Sequence, residues 1–269
     1  MPLRRTTSAP STPAWRWAVL GACAGAVVAV VWGAPAHWLA SGLRWATQDR
    51  VQLREARGTV WAGSASLTLT GGIGSRDARS LPSRVQWQLG WHWPGVQLTL
   101  SSACCTTTPL QWHVQRAAGH WQLALQDQHS SWPLDLLSGL GAPWNTLQAE
   151  GQLQWQSTGL RLDWMDGRLR WHGHTTLQAQ DLASRLSALR PMGSYRLNLQ
   201  GSEGGSATPE LTLSTLQGPL RLSGQGQWVG QRLRFAGEAS AEPGHEAVLS
   251  NLLNIIGRRD GARSLLSLG

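Results

Sequence analysis

Val85-Gln-Trp87-Gln-Leu89-Gly-Trp91-His-Trp93 alternates apolar and polar residues without a break, and Val96-Gln-Leu98-Thr-Leu100 repeats the alternation after Pro94-Gly95. Period two places every second side chain on one face of a strand, and Pro-Gly supplies a turn, so the stretch reads as a β-hairpin with one apolar face. The same pattern continues outward through Leu67-Thr-Leu69, Leu110-Gln-Trp112-His-Val114, Trp121-Gln-Leu123-Ala-Leu125 and Gly151-Gln-Leu153-Gln-Trp155. Leu160-Arg-Leu162-Asp-Trp164, Leu169-Arg-Trp171, Thr175-Thr-Leu177 and Tyr195-Arg-Leu197-Asn-Leu199 carry it on, and Leu211-Thr-Leu213, Leu220-Arg-Leu222 and Leu233-Arg-Phe235 complete it. Short alternating strands separated by Gly and Pro predict a mainly β chain built as a curved antiparallel meander. Trp87, Leu89, Trp91 and Trp93 are expected on one face and mostly buried. Three helical interruptions are expected. They are Pro133 to Leu140, Asp181 to Leu189 with Asp181 as N-cap, and Ala247 to Ile256 closed by Gly257. Gly201 to Pro209 reads as a loop.

Trp17 to Ala36 contains no charged residue. An apolar helix of about 20 residues matches the hydrocarbon thickness of a bilayer. Trp15, Trp17, Trp32 and Trp38 sit near its ends, where amphipathic rings favour the interface. Arg4, Arg5 and Arg16 precede it and no acidic residue does, which predicts a cytoplasmic N-terminus. The resulting organisation is a basic cytoplasmic tail (1–16), a transmembrane anchor (17–36) and a periplasmic β-rich domain (37–269) that could be subdivided near 141–143. Ala34-Pro35-Ala36 has the small residues of a cleavage site, and a signal peptide is the rival reading. The apolar run exceeds the roughly 7–15 residues of a signal core, which favours a retained anchor in the inner membrane.

All 23 basic residues are Arg. The three in the tail leave 20 beside 15 acidic residues, a net +5 for the remainder. The arginines alternate along strands, as in Gly167-Arg-Leu-Arg-Trp171 and Gln231-Arg-Leu-Arg-Phe235, so they read as a solvated face, with an anionic lipid surface as the alternative. With an exported domain, nucleic acid is excluded as a partner. The 17 Trp occupy mostly apolar strand positions. They fit core packing, or else a groove for an acyl chain or a peptide. Adjacent Cys104 and Cys105 cannot staple distant segments.

Catalytic patterns are absent. His172-Gly-His174 has metal-compatible spacing but no third ligand at an obvious spacing. Asp163 and Asp166 read as turn residues bonding their own backbone. Gly71-Gly-Ile-Gly74 lacks the Lys and Ser/Thr of a phosphate loop, and no serine lies in a Gly-x-Ser-x-Gly elbow. The reading is a non-enzyme with no metal and no cofactor.

Gly58-Thr-Val-Trp-Ala-Gly-Ser-Ala65 resembles the motif that follows the anchor in the protein N family of type II (general) secretion. Leu136-Leu-Ser-Gly-Leu-Gly141 before Pro143 is similar to a second family segment. So is the C-terminal run Leu252-Leu-Asn-Ile-Ile-Gly257, Arg258-Arg-Asp-Gly261 and Ser264-Leu-Leu-Ser-Leu-Gly269. The cysteine pair and the abundance of Trp are not part of that resemblance. It implies an AsmA-like sheet in a Gram-negative periplasm and an accessory, non-catalytic inner-membrane role in export of folded proteins across the outer membrane. The implied partners are other secretion subunits, meaning the inner-membrane platform and the secretin. The alternative is a periplasmic groove that binds or transfers lipid. Gly58, Thr59, Trp61, Gly63, Gly257 and Gly261 are the candidate structural or docking residues. Read alone, Gly58 and Gly63 permit a bend or close approach, and Trp61 plugs the end of the sheet.

Overall fold

The computed structural model describes residues 14–269 apart from 118, 166–167, 202–208 and 230–231. The basic tail with Arg4 and Arg5, most of the Gly201–Pro209 loop, Asp166 and Gly167 fall outside the described residues.

Two helices open the chain: α1 (Ala14–Trp32) and α2 (Ala36–Ala46). Seven strands follow: β1 (Val51–Gly58), β2 (Ala62–Thr70), β3 (Ala78–His92), β4 (Gly95–Ser102), β5 (Leu110–Ala117), β6 (His120–Leu125) and β7 (Gln128–Pro133). A 3-10 segment (Leu134–Leu140) and the short α3 (Trp144–Leu147) interrupt them. The second run is β8 (Glu150–Met165), β9 (Arg168–Ala183), β10 (Gly193–Gln200), β11 (Glu210–Gln217), β12 (Leu220–Val229) and β13 (Arg232–Ala241). Then come α4 (Glu246–Ile256), β14 (Arg258–Asp260) and β15 (Arg263–Leu268).

All 15 strands form one antiparallel sheet that follows chain order, except that β6 and β7 lie end to end along β8, and β15 lies between β13 and β14. Strands on either side of Gly141–Pro143 belong to the same sheet. β1 and β14 are its two edges, and they are not paired with each other. The sheet is open.

Its apolar face is continuous because the register keeps like residues opposite one another. One row runs Trp91, Val96, Val114, Leu123, Leu162, Trp171 across six strands. Trp112 meets Trp155, and Trp171 meets Trp228, with ring centroids 6.3 and 6.5 Å apart. β9 and β12 are separated by two strands, roughly 14 Å in a flat sheet. Their tryptophans meet because the sheet curves with the apolar face inward.

Helices cover that face at its distal end and, through α2, beside the corner of β1 to β4. The strands alternate in direction, so the hairpins β1–β2, β3–β4, β5–β6, β8–β9, β10–β11 and β12–β13 turn at one end of the sheet, here the proximal rim. The remaining turns lie at the opposite, distal end. α4 buries Leu249, Leu252 and Leu253 against Met192, Tyr195, Leu220 and Ala239. The 3-10 segment packs Leu136 beside Leu81 and Cys105, near Leu67, Leu69 and Trp132. Both clusters are distal. α2 lies along β1 and places Ala36 and Leu39 near Ala65, Trp87 and Leu98. No helix covers the proximal ends of β3 to β9 among the described residues.

Several expectations change. Trp87 is buried (3% exposed), but Trp91 and Trp93 are 76% and 82% exposed, because β3 and β4 run past every covering element. Asp181 to Leu189 is not a helix. β9 continues through Ala183, and the Ser184 and Ser187 hydroxyls accept from the Leu186 and Leu189 amides. Such local side-chain bonds compete with helix formation. Gly257 ends α4 with extended backbone (φ −163°), not left-handed backbone. A Cβ there would stand 2.5 Å from the Leu265 carbonyl oxygen, so close approach selects glycine. α2, which begins at the last residue of the anchor's uncharged run, is an addition. Cys104 and Cys105 are bonded to each other.

Replacing Leu252, 2% exposed beneath the distal sheet, with Ala is expected to cost about 2–5 kcal/mol, whereas Trp91→Ala stays near ±0.5 kcal/mol. Denaturant unfolding of the detergent-purified chain measures both. The single tyrosine gives a second check. Tyr195 is buried and donates to the Leu220 carbonyl at 3.0 Å. Burial pushes its phenol well above the ordinary value, with Arg221 pulling weakly the other way. The neutral phenol is the form the fold accepts, so its contribution is full below a pH of about 10 and falls as pH rises beyond it. Phenolate absorbance is expected only on unfolding when the folded protein is titrated past that point.

Candidate functional site: the corner joining α1 to the sheet

Gly58, Thr59, Trp61 and Gly63 form one corner at the proximal rim. The Thr59 amide donates to the Ala62 carbonyl at 2.8 Å, and the Ala62 amide donates to Thr59 Oγ1 at 3.1 Å. These bonds close a tight turn between β1 and β2. Gly58 has φ +91°, and a Cβ on it would stand 2.4 Å from the Ala62 carbonyl oxygen. Gly63 faces the Trp87 ring, and a Cβ there would stand 2.4 Å from that ring and 2.6 Å from the Arg57 carbonyl oxygen. The two glycines let the chain fold back on itself and let an indole lie against backbone. Trp87 Nε1 donates to the Val60 carbonyl at 3.1 Å, which satisfies its polar atom inside the cluster.

The corner also holds the end of α1. Trp61 Nε1 donates to the Val31 carbonyl at 2.7 Å, one of the carbonyls a helix terminus leaves free. The Val60 amide donates to the Ala34 carbonyl at 2.8 Å, and Pro35 bridges to Thr59. Trp61 therefore does more than plug a sheet end: it caps the apolar helix. α1 carries a span, Trp15–Trp32, long and apolar enough to cross a membrane, and none of that span is buried. It touches the sheet at its C-terminal end.

Gly257 and Gly261 are not part of this corner. They flank β14, at the opposite edge of the strand order. Gly261 has φ +60° at the first position of the two-residue β14–β15 loop, with open space around it. Its role there is conformational.

His172 and His174 do not share a partner. His174 Nε2 lies 3.1 Å from Thr176 Oγ1. His172 Nε2 lies 3.3 Å from Asp163 Oδ2. Asp163 is a strand residue, not a turn residue as its spacing suggested. Its other oxygen accepts from Gln122 Nε2 at 2.9 Å and lies 3.9 Å from His120 Nε2. This polar cluster ties β6, β8 and β9 together on the convex face. Sequence separation hid it. A polar depression lined by Arg76, Asp77, Asp135, Asn145 and Arg185 lies at the distal end. There Asn145 Nδ2 donates to Asp77 Oδ2 at 3.0 Å.

A family profile describing protein N of the type II secretion system matches residues 49–265, from the start of β1 to within β15. The chain belongs to the type II secretion system protein N family. Comparison with curated proteins and with solved structures gives no match. The match to protein N takes in β1 to β14, the start of β15 and the Gly58–Gly63 corner, while α1 precedes it.

Gly63→Ala is expected to destabilise the chain by about 1–3 kcal/mol, because the new methyl meets both an indole ring and a backbone carbonyl. Gly261→Ala has room and pays only for its positive φ, about 1 kcal/mol. Chemical denaturation should rank the first variant below the second.

Proposed function

We propose that this chain is an accessory subunit of type II secretion, held in the inner membrane by α1, with its sheet in the periplasm. Its role is structural and interactive, and it supports export of folded proteins across the outer membrane by contacting other secretion subunits such as the inner-membrane platform and the secretin. The observation that carries this reading is the protein N match over residues 49–265, nearly all of the sheet, combined with a sheet stitched to the end of an apolar helix. The Gly58–Gly63 corner is the proposed mechanical joint. It sets the angle at which the sheet leaves the membrane and presents its edges to partners.

A second reading, a lipid-binding groove, draws on one specific feature. Gln128, Ser157 and Thr175 form a cross-strand row on the apolar face. All three are buried with side-chain atoms that lack a hydrogen-bond partner. Such atoms are costly unless water or a ligand satisfies them. The secretion role remains the conclusion, because the family match points to it.

A reporter active only in the periplasm, fused after Gly269, is expected to be active. Mild-detergent purification with cross-linking, from cells that express the whole machine, is expected to recover other secretion subunits. A cytoplasmic C-terminus, or bound phospholipid with no secretion component, would overturn the proposal.

A further inference from the structure

His92, Gly95, Gln115, Gln122, Asp163 and Arg170 share one cross-strand row near the proximal rim. The next positions outward are Trp93, Arg116, Trp121 and Trp164, with Trp121 opposite both Arg116 and Trp164. One step outward changes the face, so the strand members of this set, and Trp93 at the β3–β4 tip, continue the apolar side. Trp121 and Trp164 are 57% and 56% exposed, less than Trp91 and Trp93 at 76% and 82% but still largely open to solvent. Outside α1 and α2, the other exposed tryptophans among the described residues are less exposed: Trp61 (37%) at the corner on the same rim, and Trp144 (39%) at the distal end. The exposed indoles are thus concentrated along one rim.

We propose that this rim, through Trp93, Trp121, Trp164 and Arg116, docks into the lipid headgroup region of the bilayer that α1 spans. The inference rests on the reading of α1 as a membrane anchor. Its first support is continuity. The end of α1 is fixed to Trp61 at the same end of the sheet, and the Leu89 amide donates to the Trp61 carbonyl at 2.6 Å. Trp93 lies four residues beyond Leu89 in the same strand direction, a reach of roughly 13 Å past the corner. A headgroup layer is about 5–8 Å deep. The second support is chemistry. An indole joins a large apolar ring to one N–H donor and favours the membrane interface over both water and hydrocarbon. A guanidinium beside it matches phosphate oxygens in a two-pronged geometry.

The test places a benzoyl-phenylalanine photocross-linker singly at Trp93, Trp121, Trp164, Trp144 and Val28 in the full chain. The protein is reconstituted in vesicles of phosphatidylethanolamine and phosphatidylglycerol. Lipid adducts at 93, 121 and 164, at least tenfold above position 144 and comparable to position 28, are expected. Adducts at position 28 but none at the rim would overturn the docking and leave the anchor intact. No adduct at position 28 would remove the anchor and the docking together. Rim cross-links in intact cells that go to a protein and not to lipid would also overturn it. Arg116→Glu is expected to lower the yield at position 121 at least threefold in these vesicles, and an unchanged yield would strike the phosphate contact from the proposal.

Discussion

A sheet with one apolar face has to hide that face, and this sheet cannot do so by closing, because its two edge strands are unpaired. Everything else in the structure answers that constraint. Curvature brings the tryptophans of β9 and β12 together across two strands. α4 and the 3-10 segment bury the distal end of the face. α2 packs on the face of β1 to β4, with Ala36 and Leu39 near Leu53, Ala65, Trp87 and Leu98. These solutions are local and mostly distal, and apolar surface remains at the proximal end. Soluble proteins seldom leave large contiguous apolar patches exposed without using them.

The alternation of single residues made most of the strands legible, because a half-buried sheet face imposes period two directly on composition. Helices at 134–140 and 246–256 were legible through Pro, Gly and apolar spacing. The failures have a common cause. Trp91 and Trp87 look identical to a pattern reader, yet one is buried and the other is not. The difference depends on which strands outrun their covering helices, a tertiary fact. Asp181 to Leu189 carried an N-cap and a terminating proline, but continued pairing of β9 with β8 and β10 outweighed both. α2 begins at Ala36, the last residue of the anchor's uncharged run, so no break in composition separates the two helices.

The corner was partly legible. Gly58 and Gly63 were readable as bends, and the structure adds the reason each must lack a Cβ. What the sequence could not reveal is the partner of Trp61. Its indole donates to a carbonyl 30 residues earlier, at the end of α1. A bond across that separation leaves no periodic trace. The Asp163 cluster was hidden in the same way, since His120, Gln122 and His172 come from different strands.

The joint and the rim follow from one another. A flexible tether between α1 and β1 would let the sheet tumble, and its exposed indoles would meet solvent, membrane and other proteins without preference. Here the α1–sheet connection is short, and it is bonded on both sides of Pro35 through Val31, Ala34 and Thr59. Each bond is worth only about 1 kcal/mol net, but together they fix an orientation. Fixing the orientation raises the effective concentration of the rim at the membrane surface, so that weak interfacial preferences act in concert without further contacts. In the proposed docking, an open sheet held in this way would keep its proximal surface in lipid headgroups and leave its edges and convex face to the proposed protein partners. On that proposal the tight corner motif and the tryptophan-rich hairpin tips act together, the first fixing the orientation that the second uses.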